Sequence, residues 1–159
     1  MIISKHQATE ADREFARSVH HRAYRDVVER QYGLWDVAAQ DQFFDDAWSA
    51  DDYQIVLCDA VRCGYCCVEN RNDEIFIREL VIDPDFQCLG IGTRILQDVL
   101  NDSTARSVPV RLQTQILNRA TALYRRLGFR ESDRTDTHVL MEWHPQNTGH
   151  NVLRISVVR

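Results

Sequence analysis

Apolar residues recur along this chain with two different periods, and the switches between them mark its elements. Phe15, Ala16, Val19, Ala23 and Val27 fall at helical spacing. The run Thr9-Glu-Ala-Asp12 before them is a capping-box pattern, and Gly33 after them is a helix stop. Asp36 then caps a second helical run carrying Val37, Phe43, Phe44, Ala47 and Trp48. Strands are expected at Met1 to Gln7, at Tyr53 to Asp59 and, across a tight turn, at Val61 to Glu69. A polar turn, Asn70 to Asp73, leads to an apolar strand from Ile75 to Ile82, stopped by Asp83-Pro84. Helical spacing returns in Ile91, Ile95, Leu96, Val99 and Leu100. A strand follows (Val110, Leu112 and Thr114 on one face), then a helix from Asn118 as cap to Gly128 as stop. Phe129 to Ser132 and His138 to Trp143 close the pattern as an antiparallel pair around Arg134 to Asp136. The order is βααβββαβαββ, an α/β domain over residues 1–144.

From residue 145 the pattern changes. Gln146 to Asn151 is turn-like, after which Leu153, Ile155 and Val157 alternate with Arg154, Ser156 and Val158. Residues 145–159 thus form a C-terminal extension, either a frayed tail or an extra half-buried strand. Such a strand would pair with an edge strand of the same chain or of a second copy, making a homodimer.

Composition narrows the class. A chain of 159 residues, 44% hydrophobic and 27% charged, is one soluble domain able to bury a real core. It has no apolar run near the ~20 residues of a membrane span and no signal-peptide stretch at Met-Ile-Ile-Ser-Lys-His, so a cytoplasmic protein with no membrane partner is expected. A net charge of -5 argues against nucleic acid as a partner. Arg94, Arg119, Arg125 and Arg126 could still form a local basic patch. The five cysteines include a Cys63-Gly-Tyr-Cys66-Cys67 cluster, but it lies in strand-like sequence. A redox pair wants a helix N-terminus, and zinc wants a second pair or nearby histidines, so these read as small apolar residues with no metal role.

The chemistry concentrates in Glu79-Leu-Val-Ile-Asp-Pro-Asp-Phe-Gln-Cys-Leu-Gly-Ile-Gly-Thr93. A strand, a glycine-bearing turn and a fresh helix N-terminus aim several unpaired backbone N–H groups at one spot, which suits a phosphate. The dinucleotide fingerprint is excluded, since it needs three glycines, and the P-loop is excluded because no lysine precedes Thr93. Gln87-x-x-Gly90-x-Gly92 after a strand instead resembles motif A of the GNAT superfamily of N-acetyltransferases. About thirty residues on, Asn118-Arg-Ala120-Thr-Ala-Leu123-Tyr124-Arg-Arg-Leu127-Gly128-Phe129 is similar to that family's second signature. Asn118 stands two residues before Ala120 where many relatives have three, and Cys88 and Leu89 replace the common glycine and basic residue. The resemblance is strong over residues 53–144 and covers the N-terminal third in outline.

The resemblance implies a mixed sheet splayed between its fourth and fifth strands, helices on both faces, and acetyl-CoA as co-substrate. It implies that Gln87, Cys88, Leu89, Gly90, Ile91, Gly92 and Thr93 hold the pyrophosphate. The backbone of Leu80, Val81 and Ile82 would take the pantetheine arm as though it were another strand. Asn118 would border the same site, and Tyr124 would protonate the departing thiolate. Its phenol, ordinarily near ~10, is close enough to a thiol for useful donation.

Removing a proton from the acceptor amine calls for a base, and Glu79 is the best candidate. On a face shared with Ile75, Ile77 and Val81 it should be poorly solvated, which strengthens a carboxylate as a base. The alternative is a carboxylate paired with an arginine such as Arg78, should a bulge reorient the strand. His138, His20 and His21 are reserves. For the acceptor pocket, the first two helices offer Tyr24, Tyr32, Trp35, Phe43, Phe44 and Trp48 among Asp26, Glu29, Asp36, Asp41, Asp45 and Asp46. Tyr32 and Trp35, flanking Gly33, are the expected contacts. This mixture predicts a small cationic primary amine with an apolar part. Acetylation of a protein lysine or N-terminus would call for an open groove, and a CoA-binding module without turnover is the reading from another class.

Overall fold

The computed structural model of the chain describes residues 1–145, so the reading of a strand at Leu153 to Val157 lies outside the described residues. Seven strands form one sheet in the order β1-β2-β3-β4-β5-β7-β6: β1 (Ile3–Gln7), β2 (Gln54–Cys58), β3 (Val61–Asn70), β4 (Ile75–Ile82), β5 (Val110–Gln115), β6 (Arg130–Arg134) and β7 (His138–Trp143). Every neighbouring pair is antiparallel except β4 and β5. Four helices accompany it: α1 (Arg13–Tyr32), α2 (Val37–Ala47), α3 (Ile91–Arg106) and α4 (Ala120–Arg126). All elements expected from the sequence within these residues are present, in order.

The helix ends follow their capping chemistry. The backbone N–H of Thr9 donates to Asp12 Oδ2 at 3.0 Å, closing the box before α1, and Gly33 ends that helix with φ 82°. Asp36 accepts from the Ala39 N–H and starts α2. Asn118 does not itself stand at the N-cap of α4, which begins at Ala120, but its Oδ1 accepts the Ala120 N–H at 2.9 Å and so still satisfies an orphan donor.

Apolar clusters cover both faces of the sheet. On one, Ala16 and Val19 of α1 and Phe44 of α2 pack on Trp48, Tyr53, Ile55, Tyr65, Cys67 and Val81. On the other, Ile91 and Ile95 of α3 pack on Val56, Cys58, Cys63 and Cys66, and Leu96, Val99 and Leu100 on Ile75, Ile77, Val110 and Leu112. Burying a side chain such as Leu96 completely stabilises the fold by about 1.5–3 kcal/mol. Phe44 and Trp48 are therefore core residues rather than pocket lining.

Two irregularities of β4 shape the cleft. Facing residues of β3 and β4 run Cys67↔Glu79 and then Val68↔Ile77, so Arg78 is an extra residue bulged out of β4. Ile75 and Ile77 consequently face α3, whereas Glu79 and Val81 face α1. The single face expected for all four is thus broken between Ile77 and Glu79. The second irregularity is the β4–β5 pairing, which holds only at Ile75↔Val110, Phe76↔Arg111 and Ile77↔Leu112. Beyond Ile77 the two strands diverge, and β4 keeps only its β3 partner.

Candidate active site

The divergence leaves one edge of Leu80, Val81 and Ile82 open while their other edge pairs with Cys66, Tyr65 and Gly64. Close approach of β3 here depends on Gly64: a Cβ added to it would lie 2.2 Å from the Val81 carbonyl oxygen. An exposed strand edge in a cleft can accept an extended ligand through main-chain hydrogen bonds.

Immediately beyond, Gln87 braces the loop by donating from Nε2 to the Ile82 carbonyl at 2.9 Å. Cys88 and Gly90 both take the left-handed region, with φ 62° and 84°. For Gly90 that conformation needs no Cβ, and a side chain there would point into open space rather than into protein. The first closing bond of α3 runs from the Arg94 N–H to the Gly90 carbonyl at 3.0 Å, so the N–H groups of Ile91, Gly92 and Thr93 precede the helical ladder. Leu89 is exposed, as is Cys88. A cradle of main-chain donors at the positive end of a sixteen-residue helix suits a diphosphate. Among the candidate cations nearby, Arg94, Arg119 and Arg125 each face a carboxylate (Asp98, Asp26 and Glu131), while Arg126 has none among the described residues.

Helix α4 abuts this cradle, since the Cβ direction of Gly92 meets Leu123 Cδ2 at 3.6 Å. The next residue, Tyr124, is buried against Phe129 with ring centroids 5.7 Å apart. Burial alone pushes its phenol up to about 12. It is therefore a fully protonated donor at neutral pH, though a weaker acid than a free phenol. Asn118 lies at the entry to α4, with its Nδ2 donating to Thr114 Oγ1 at 2.8 Å.

Glu79 is half-buried on the α1 side, where two phenols converge on it. The Tyr24 hydroxyl donates to Oε2 at 2.8 Å and the Tyr53 hydroxyl to Oε1 at 2.6 Å. The bulge does not pair Glu79 with Arg78. That guanidinium instead lies over the Tyr53 ring at 5.2 Å and reaches Glu69 at 3.3 Å. Burial, then the Glu79 charge, pushes the Tyr24 and Tyr53 phenols up. The Tyr124 phenol adds a smaller push in the same direction on Tyr24. The sequence pattern places Tyr24 only among pocket aromatics and Tyr53 only at a strand start. Their meeting at Glu79 depends on contacts between α1, β2 and β4, which leave no local signal that could have found it.

From Tyr24 a line of rings leads outward. His20 lies 4.8 Å from Tyr24, and Trp35 lies 6.3 Å from His20 and 5.4 Å from His21. Trp35 is half-buried on this line, whereas Tyr32 is exposed at the end of α1. His20 is buried, hydrogen-bonded to Gln40 Oε1 at 3.0 Å, and desolvation pushes its imidazolium form down. His21 is held by Asp41 at 2.6 Å, and His138 stands beside Thr137 at 2.7 Å. Most carboxylates expected to draw a cation are already engaged. Asp41 and Asp45 face Arg13 and Arg17, Asp26 faces Arg30, Glu29 faces Arg25, Asp36 caps α2, and Asp46 accepts from Gln42.

Comparisons with known proteins bear on the family and the fold. The sequence profile of the acetyltransferase (GNAT) domain matches residues 47–131. No match is found among curated protein sequences. Among solved structures, the chain is similar to PaiA N-acetyltransferase from Thermoplasma acidophilum in complex with coenzyme A, with TM-score 0.71, 15% identity, and 91% and 99% of the two chains covered. It is similar to ribosomal-protein-S18-alanine N-acetyltransferase from Escherichia coli, with TM-score 0.64, 20% identity and 95% and 99% covered. An acetyltransferase from Thermus thermophilus gives TM-score 0.68 at 14% identity, with 91% and 97% covered. At such identities the likeness is one of fold. No helix among the described residues is long and apolar enough to cross a membrane, and no group of three or more His, Cys, Asp or Glu there is placed to hold a metal ion.

Proposed function

Because the chain belongs to the acetyltransferase (GNAT) domain family, whose members use acetyl-CoA, we propose that it acetylates the primary amine of a small cationic acceptor, with Glu79 as base and Tyr124 as proton donor. Acetyl-CoA, when bound, supplies the acetyl group as an activated thioester. The residues present fit it. Main-chain donors of 88–93 would hold the diphosphate, Gln87 and Asn118 would brace the walls, and the open edge of Leu80, Val81 and Ile82 would hold the arm.

The chemistry left to the protein is a pair of proton movements. A lysine-like amine is neutral only about once in ~2,500 molecules at pH 7, a deficit of roughly 4–5 kcal/mol. The Glu79 carboxylate, with acceptor positions beyond the two that the phenols fill, would take the amine's proton directly or through one water. The Tyr124 hydroxyl, with no other proton acceptor among the described residues, is available to the departing sulfur.

One observation carries the choice of a small acceptor over a protein chain: the end of α1 is tied to the β5–α4 loop and to the β6–β7 turn. Arg30 Nη2 donates to the Leu117 carbonyl at 2.6 Å, and Gln31 Nε2 donates to the Thr137 carbonyl at 2.7 Å. The Leu117 N–H donates back to Gln31 Oε1 at 3.2 Å. A peptide passing between α1 and the β6–β7 turn would have to break the Gln31–Thr137 bond, and one passing between α1 and the β5–α4 loop the two bonds at Leu117. A small amine passes beside Trp35, His20 and Tyr24, whose rings favour a cation with an apolar body.

The test is a panel of amines and peptides with acetyl-CoA, following thiol release. A small cationic amine should give the highest kcat/KM, and Trp35→Ala should raise its KM about tenfold with a small change in Tm. A neutral or anionic amine, or a peptide, as best acceptor would sink the proposal. Destabilisation by Trp35→Ala with unaltered KM would return Trp35 to ordinary packing.

A further inference from the structure

Tyr24 comes from α1 and Tyr53 from the residue just before β2, yet both hydroxyls end on the one carboxylate that the β4 bulge turns toward them. We infer that Tyr24 and Tyr53 are positioning residues: together they clamp the Glu79 carboxylate by both oxygens and aim its remaining lone pairs into the cleft. This rests on the reading of Glu79 as base.

Valence sets the first constraint. A carboxylate has about four acceptor positions. The two phenols fill one on each oxygen, at 2.8 and 2.6 Å, leaving the others for an amine or a water. Neither donor can swing away easily. The Tyr53 ring is fully buried, stacked on Trp48 at 5.1 Å, set edge-on against Tyr65 at 5.7 Å and covered by the Arg78 guanidinium. The Tyr24 ring lies against His20, itself fixed by Gln40.

The direction of the protons is equally constrained. Groups facing Glu79 are His20 and Tyr24 from α1, Tyr53 before β2, and Tyr65 and Cys67 from β3, with Arg78 beside it on β4. The three phenols and the thiol all hold their protons more firmly in this setting, and burial disfavours a charged His20. Tyr24 and Tyr53 are accordingly fixed as donors and Glu79 as acceptor.

The experiment compares the wild type with Tyr24→Phe, Tyr53→Phe and the double variant. The titration midpoint of the Glu79 carboxyl, read by its carbon-13 shift, and the acidic limb of the pH profile of kcat/KM are measured for each. Phenylalanine keeps the rings, and unchanged coenzyme A affinity by calorimetry certifies the fold. Both midpoint and limb should move to higher pH by about one unit for each hydroxyl removed. An unmoved midpoint overturns the inference, whatever the activity. A midpoint that moves while the limb stays still shows that the clamp exists but that Glu79 is not the base, which overturns the functional reading instead.

Discussion

The two faces of the sheet are built from the same strands yet differ in kind. On the α3 side, Ile75, Ile77, Leu96, Val99, Val110 and Leu112 interlock as aliphatic surface, in one cluster with the rings of Tyr124, Phe129 and Trp143. On the α1 side the core is largely aromatic, and polar groups run through it. Tyr24 and Tyr53 meet Glu79, His20 meets Gln40, and the buried Tyr65 hydroxyl and Trp48 Nε1 have no hydrogen-bond partner among the described residues. Burying polar groups costs stability unless they are paired, so an aromatic core with a carboxylate in it is a poor way to build a stable face. The aliphatic part of the α3 face holds the sheet together, and the α1 face accepts a less stable arrangement to seat Glu79 among phenols.

This contrast can be broken by parallel insults to the two sides. The largest effect is expected from Leu96→Ala, which should lose about 2–5 kcal/mol in chemical denaturation while the refolded fraction keeps its KM for the amine. Next is Tyr124→Phe: kcat should fall about 100-fold, equivalent to about 2.7 kcal/mol, with coenzyme A affinity by calorimetry unchanged. An unaltered kcat with a good acceptor would make Tyr124 a packing residue. Gly90→Asp sharpens the assignment of the polar end of α3. A negative charge against the diphosphate cradle should weaken coenzyme A binding at least tenfold, about 1.4 kcal/mol, with little loss of secondary structure.

The smallest effect concerns His20. Its protonated form is disfavoured by burial in the folded state, so the folded value lies below the unfolded ~6.5. The stability that depends on a neutral His20 is whole above that unfolded value. It declines as pH falls and is lost once pH passes through the folded value. His20→Gln should therefore flatten the fall of Tm between pH 7 and 5. An equal slope in both proteins would show that other groups set the acid limit.

Much of this is legible in the sequence because periodicity and caps are local. The span of α1 from the capping box to Gly33, the apolar face of α3 and the glycine cradle at residues 90–92 all follow from neighbours in sequence. What is not legible depends on pairing. The bulge at Arg78 exists only relative to β3, so simple alternation puts Glu79 with Ile75 and Ile77 on one face. Likewise, Asp41 and Asp45 read as free carboxylates until α1 brings Arg13 and Arg17 against α2. Phe44 and Trp48 read as pocket rings until Tyr53 is found stacked against Trp48.

The distribution of thiols gives the molecule a built-in reporter. Cys58, Cys63, Cys66 and Cys67 are buried, and burial pushes the Cys63 and Cys67 thiols up to about 11, far from the reactive anion. Cys88 alone is exposed, in the middle of the cradle. A maleimide dye should thus mark the native chain once, at the mouth of the donor site, and a bound nucleotide head should slow that marking. The other four sites would open only on unfolding, so one mass spectrum would count occupancy and integrity in the same sample.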